Sequence, residues 1–314
     1  MNTLVRLAEL DMITGPLVLA AGVFDGLHFG HRAVIGSAIE SARDAGGTAV
    51  VLTFDPHPSK ILRPLNAPRL LTSTPHKLAL LESAGIQHVL VLAFTPEFAA
   101  QEAEDFLREL KAAAPGLVRI CVGEGWRFGH ARRGDAGLLR RLGPALGFEA
   151  TEVPPVAIDG VVVSSTLIRK AVESGDLATA SCLLGRRYSV LGTVRRGDGI
   201  GRQLGFPTAN LAAHNEQFPP NGVYAVRART GRDWHPGVAN IGVRPTVHDA
   251  SERLLEVHLP NFTGDLYGQE LAAEFMEFLR PEEKFPDLAS LRAQIMKDIA
   301  QALAGECARN APSS

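Results

Sequence analysis

The sequence predicts an α/β protein in two parts: a doubly wound parallel sheet, then a small antiparallel β-barrel closed by a helix. Three observations carry this. Nearly continuous apolar runs alternate with helical patterns through the first half. Such strands are buried on both faces, which a parallel sheet between two helix layers requires. From residue 186 the texture changes to short alternating runs punctuated by glycine and proline, as in a small closed all-β unit. A stripe of apolar residues at helical spacing then ends the chain.

In order, the first part reads as strand "PLVLAAGVF" (16–24), helix 31–47, strand "TAVVLTF" (48–54), helix 74–85, strand "QHVLVLAF" (87–94), helix 99–114 and strand "GLVRICVG" (116–123). This Rossmann-like order places a ligand site at the carboxyl ends of the strands. A short helix "DLATASCLL" follows, with Asp176 as its N-cap, and the boundary falls near Gly185. Strands are then expected at 186–194, 221–230, 235–243 and 254–260. In the closing helix 285–303, Leu288, Leu291, Ile295 and Ile299 form the apolar stripe. The expected domains are 1–184 and 185–306, with 307–314 a disordered tail.

The 314 residues are 46% hydrophobic and 21% charged, which indicates neither a disordered chain nor a membrane protein. A net charge of −2 gives no general attraction to nucleic acid or anionic lipid, so neither is expected as a partner. Cys121, Cys182 and Cys307 are far apart, without zinc-ligand spacing, and read as reduced thiols. The start lacks the apolar core of a signal peptide, and a cytoplasmic location is expected.

The stretch "GVFDGLHFGH" (22–31) leaves the first apolar strand and opens a helix. Free N–H groups and the positive helix end make such a turn an anion site. His28 and His31 are placed to face that anion, and Gly22, Phe24, Asp25 and Gly30 shape the turn. A plain glycine turn with two solvated histidines is the competing reading of a lone GxxxH; the full string between strand and helix favours phosphate. In "VSSTLIR" (163–169), Ser164 and Ser165 read as a helix cap, Thr166 as the first turn, and Arg169 as one turn on, reaching back to an anion. His57 in "TFDPHP" sits between prolines at a strand end, as a loop residue or a ligand contact. Trp126 and Phe128 are placed to stack on a flat ring or simply to pack. The run 192–211, with Gly197, Gly199, Gly201, Arg202, Gly205 and Pro207, is not a P-loop, because no GK[ST] follows. It reads as a flap whose N–H groups wrap a diphosphate, or as a mobile hairpin.

These motifs, with "LGFPTAN" (204–210), "NGVYAV" (221–226), "ANIGVRPT" (239–246) and "LEVHL" (255–259), occur in the order seen in prokaryotic bifunctional riboflavin kinase/FMN adenylyltransferases. The sequence resembles that family over nearly its whole length. The resemblance implies a nucleotidyltransferase-like first domain that moves AMP from ATP to FMN, releasing FAD and pyrophosphate, and a second that phosphorylates riboflavin. ATP is the cosubstrate of both. It implies that His28 and His31 bind the ATP phosphates and that Thr208 and Asn210 hold Mg²⁺. It further implies that Glu256 accepts the proton of the riboflavin 5′-hydroxyl and that Arg244 contacts the flavin side. Two positions depart from the family pattern: Val23 stands where Asn is usual, and Gly125 where Asp or Asn is usual. They motivate the alternative of a riboflavin kinase with a weakened adenylyltransferase domain.

Overall fold

A computed structural model of the chain describes residues 1–197, 199–231, 233–244 and 252–310. These form two compact units, Met1–Arg69 with Lys77–Ser165, and Leu70–His76 with the chain from Thr166 onward. By contact the division lies between Ser165 and Thr166, ahead of the change in texture at Gly185.

The first unit is built on a six-stranded parallel sheet: β1 (Asn2–Leu4), β2 (Leu17–Ala21), β3 (Thr48–Asp55), β4 (His88–Ala93), β5 (Leu117–Gly123) and β6 (Glu149–Val153), in the order β1-β4-β3-β2-β5-β6. Every residue of β2 is buried, and side-chain alternation divides them between two cores. Leu17, Leu19 and Ala21 join Leu52, Phe54, Phe106, Leu107 and Leu139 on one face. Val18 and Ala20 join Val34, Ile35, Ala38 and Val51 on the other. The second face is covered by α1 (Phe29–Asp44). Helices α5 (Ala103–Ala113) and α6 (Ala136–Leu146) cover the first. Between α1 and α5 lie α2 (Pro58–Leu62), α3 (Thr74–Ser83) and α4 (Pro96–Ala99). The single helix expected over 99–114 is thus two: α4 ends at Ala99, and α5 starts only after Glu102. Strand order reverses between β2 and β5, which puts the crevice of the sheet at their carboxyl ends. A small hairpin, β7 (Ala157–Ile158) with β8 (Val161–Val162), completes the unit.

The second unit starts with α7 (Ser165–Ser174) and α8 (Leu177–Leu184); the Asp176 side chain caps α8 by accepting from the Thr179 N–H, as expected. Six strands then close into an antiparallel barrel, in the order β10-β13-β12-β11-β14-β9: β9 (Ser189–Arg195), β10 (Thr208–Ala213), β11 (Gly222–Thr230), β12 (Asp233–Arg244), β13 (Glu252–His258) and β14 (Glu270–Arg280). Closure removes the exposed edges that an open sheet would present. A short helix α9 (Ile200–Gln203) lies between β9 and β10, and α10 (Leu288–Asn310) ends the unit. Helix α10 thus runs into the segment expected to be a tail; residues 311–314 lie outside those described. Of its stripe, Leu288 is 65% exposed, and Leu291 and Ile295 line a cavity.

Candidate active sites

The loop between β2 and α1 carries the histidine motif. Phe24 (φ 53°) and Leu27 (φ 43°) hold the left-handed conformation that side chains ordinarily avoid, and both are 2% exposed, so burial pins a strained turn. Gly22 is required by contact: a Cβ there would lie 2.8 Å from the Phe24 ring. Two hydroxyls fix the loop backbone. Thr53 on β3 donates to the Val23 carbonyl at 3.0 Å, and Ser165 donates to the Asp25 carbonyl at 2.9 Å. His28 is the N-cap of α1, its Nδ1 accepting the His31 backbone N–H at 3.3 Å. That bond leaves the proton on Nε2, the nitrogen able to donate outward. The two imidazoles stack with centroids 3.6 Å apart, and Phe24 meets His31 edge-on at 5.4 Å.

A cavity of about 410 Å³ opens at the carboxyl ends of β2 and β5, lined by Gly22, Phe24, His28, Gly30, His31, Gly123, Ser164 and Ser165, among others. Asp25 is buried in the loop behind it. Thr166 and Arg169 continue along α7, in the second unit. A second cavity, about 370 Å³, is mainly apolar and lined by Phe54, His57, Phe94, Phe98, Trp126 and Phe128. Trp126 and Phe128 stack at 4.6 Å and 19°. His57 caps α2 by accepting the Ser59 N–H on its Nδ1. Val23, Gly125 and Trp126 line both cavities, so the two spaces meet there. Gly125 has φ 72° and nothing within 4 Å of where a Cβ would be, which leaves the junction open.

Sequence reasoning missed Lys77. It is 4% exposed, and its ammonium donates to Thr53 Oγ1 at 3.0 Å, directly behind the histidine loop. Burial lowers its pKa to about 8, with Asp25 and Asp55 acting in the opposite direction. A lone lysine in "TPHKLALL" carries no local signal of this role.

In the second unit, antiparallel register sets Asn210 of β10 opposite Glu256 of β13, and Glu256 opposite Asn240 of β12. The three therefore share one face of adjacent strands, and Thr208, two residues before Asn210, points the same way. All four line a cavity of about 320 Å³ whose apolar wall includes Leu204, Phe206, Val238, Phe285, Leu291 and Ile295. A further cavity of about 320 Å³, lined by Pro207, Thr208, Leu259, Phe262 and Tyr267, shares Thr208 with it.

The glycine-rich run lies against these residues. A Cβ on Gly197 would collide with the Asn210 amide, and one on Gly201 would lie 3.2 Å from Thr208 Oγ1. Gly199 and Gly205 take φ of 73° and 87°. The Arg202 and Arg244 side chains lie outside those described. Among the described residues no cluster of three or more His, Cys, Asp or Glu side chains is placed to bind a metal. No described helix is long and apolar enough to cross a membrane.

Residues 11–167 match the family described as FAD synthetase, and residues 184–305 match the one described as Riboflavin kinase. The bifunctional riboflavin kinase/FMN adenylyltransferase of Escherichia coli (strain K12) is 39% identical over 282 residues, 90% of each chain. That of Pseudomonas fluorescens is 38% identical over 91% of this chain and 92% of its own. A solved structure described as a macrolide-efflux protein from Streptococcus pneumoniae is similar at a TM-score of 0.81 and 28% identity, covering 96% of this chain and 99% of that one. With both domains present and relatives matched over nearly their full length, the chain belongs to the bifunctional riboflavin kinase/FMN adenylyltransferases, which use ATP to make FMN from riboflavin and FAD from FMN.

Proposed function

We propose that the two reactions are divided between the units, FAD being made at the histidine loop and FMN at the Asn210–Glu256–Asn240 face. One observation carries this reading: in each unit a cavity with an apolar wall abuts a second cavity, at Val23, Gly125 and Trp126 in the first unit and at Thr208 in the second. A flat flavin fits the first kind of space, and a nucleotide with its phosphates the second.

In the first unit, FMN lies against Trp126 and Phe128 with His57 at the rim, its phosphate directed to the Val23–Gly125 junction. ATP lies over Gly22 and Gly30, held by the α1 N-terminus, by His28 Nε2 and His31, and by Ser164 and Ser165. The FMN phosphate oxygen attacks the α-phosphorus in line, and pyrophosphate departs. The chain contributes position and charge neutralisation rather than a covalent intermediate.

In the second unit, the Glu256 carboxylate takes the proton of the riboflavin 5′-hydroxyl as its oxygen attacks the γ-phosphorus and ADP leaves. Thr208 and Asn210 are the residues that would hold Mg²⁺, which when bound would supply charge neutralisation at the nucleotide phosphates; their hard oxygen donors, beside Gly197 and Gly201, suit that ion. Gly199, Arg202, Gly205 and Pro207 belong to the flap over the nucleotide, and Arg244 to the flavin side. We assign domains 1–184 and 185–306 to the two activities. A cytoplasmic location is supported by the free thiols of Cys121 and Cys182.

A reciprocal pair of variants tests the division. His28→Ala abolishes FAD synthesis from FMN and leaves FMN synthesis within about twofold. Glu256→Gln does the converse, lowering kinase kcat by about 100-fold or more, with riboflavin affinity retained. Flavins separated by chromatography after incubation with ATP and Mg²⁺ report both. Loss of both activities in either variant would overturn the assignment.

A further inference from the structure

We propose that Asn240 is a specificity residue of the kinase step, its side-chain carbonyl accepting a hydrogen bond from the ribityl hydroxyl next to the one that is phosphorylated. The inference rests on the assignment of Glu256 as the base. Four observations lead to it.

The first is register. Asn240 is the direct cross-strand partner of Glu256, on the same face of the barrel and lining the same cavity. Directly opposed residues in an antiparallel pair lie about 4.5–5.5 Å apart at Cα. A group bound at Asn240 is therefore a near neighbour of a group bound at Glu256.

The second is the orientation of the amide. Asn240 Nδ2 donates to Glu282 Oε1 at 3.2 Å. A carboxylate only accepts, so the NH₂ end must face Glu282 and the carbonyl end must face away. The flip ambiguity of an asparagine is thereby settled by chemistry.

The third is where that carboxylate lies. A Cβ at residue 242 would lie 2.7 Å from Glu282 Oε1, so the Glu282 carboxylate sits over Gly242, two residues along β12 from Asn240.

The fourth is the remaining atom. Asn240 Oδ1 is shielded from solvent and has no hydrogen-bond partner among the described residues. A buried acceptor of this kind is costly unless a ligand supplies a donor. Of the two parts of riboflavin, the ring system matches the apolar wall of Leu204, Phe206, Val238, Phe285, Leu291 and Ile295. The ribityl chain, whose carbon next to the reacting one carries a hydroxyl, supplies the donor. The 5′-hydroxyl is engaged by Glu256, which leaves its neighbour for Asn240.

The test uses the full-length protein with ATP and Mg²⁺, comparing riboflavin with 4′-deoxyriboflavin. Wild type is expected to prefer riboflavin by about tenfold or more in kcat/KM, the size of one lost hydrogen bond that strands a buried partner. Asn240→Ala is expected to lower kcat/KM on riboflavin by about tenfold, mainly through KM. It should leave the rate on the deoxy substrate within about twofold, so that discrimination disappears. FAD formation from FMN, carried out in the other unit, verifies that the variant is folded. Equal use of both flavins by wild type overturns the proposal without any variant. An equal loss on both flavins in Asn240→Ala, or discrimination that survives, overturns it as well. Glu256→Gln separates this from failure of the underlying assignment: normal turnover in that variant would remove the base, whatever Asn240 does.

Discussion

Lys77 is buried at 4% exposure, yet its ammonium reaches the back of the histidine loop through Thr53, which in turn holds the Val23 carbonyl. A buried cation costs solvation free energy unless opposite charge and hydrogen bonds offset it, and here Asp25 and Asp55 favour the charge that burial opposes. With a pKa of about 8, Lys77 is charged at pH 7 and loses its proton above that point. Lys77→Met is expected to lower FAD synthesis by about tenfold or more and leave FMN synthesis intact. It should also remove a fall in kcat/KM near pH 8 from the adenylyltransferase profile. The pH profiles of both activities, measured on wild type and variant, check this; a variant profile that still turns down near pH 8 would assign the titration elsewhere. Lys77 and Asn240 share one reason for escaping a reading of the sequence. Each acts through partners distant in the chain, Thr53 in one case and Glu256 with Glu282 in the other, and neither sits in a pattern with local meaning.

At the scale of elements, the histidine turn was legible because its chemistry is local: the strand, the glycines and the capping imidazole follow one another within ten residues. The strain at Phe24 and Leu27 was not, since neither is a residue type that favours positive φ. Burial of both side chains decides their conformation. Gly22→Ala tests how closely the turn is fitted. Its Cβ would meet the Phe24 ring at 2.8 Å, so the variant is expected to lose about 1–3 kcal/mol of stability and most FAD synthesis. Thermal unfolding and the FMN-to-FAD assay measure the two effects. Strand β14, "ELAAEFMEFLR", shows the opposite case. Its alanine, glutamate, leucine and methionine favour a helix, and it is a strand because β11 and β9 pair with it on both sides.

At the scale of the whole molecule, Leu70–His76 belongs to the second unit, although its sequence neighbours on both sides belong to the first. It is tied there by hydrogen bonds. His76 Nδ1 pairs with Asn215 Oδ1 at 3.2 Å and its Nε2 with Ser189 Oγ at 3.1 Å, while the Asn215 amide donates to the Leu71 carbonyl. Burial, followed by the nearby Arg186 charge, lowers the His76 pKa to about 4. The folded chain thus keeps His76 neutral, whereas the unfolded chain protonates it near pH 6.5. Between those values the unfolded state binds more protons, so this contribution is fully present above pH 6.5 and is lost as pH falls toward 4. Lowering the pH from 7 to 5 is expected to cost the second unit on the order of 2 kcal/mol through this residue. Urea unfolding of a Trp126→Phe protein, in which Trp234 reports the barrel, measures the loss; His76→Gln should flatten the dependence, and an unchanged slope would exclude His76 as its source.

The sequence by itself determined the order of the two units, the parallel sheet and the loop that opens α1, because each is written in a short-range period or turn. Only the tertiary structure decided which six strands form the barrel and in what order, that Asn240 and Glu256 stand side by side, and that Lys77 lies behind the histidine loop. Local patterns fix which face of an element is buried. Which partner that face meets depends on residues far apart in the chain, and the free energy of packing and pairing them is set only when they are brought together.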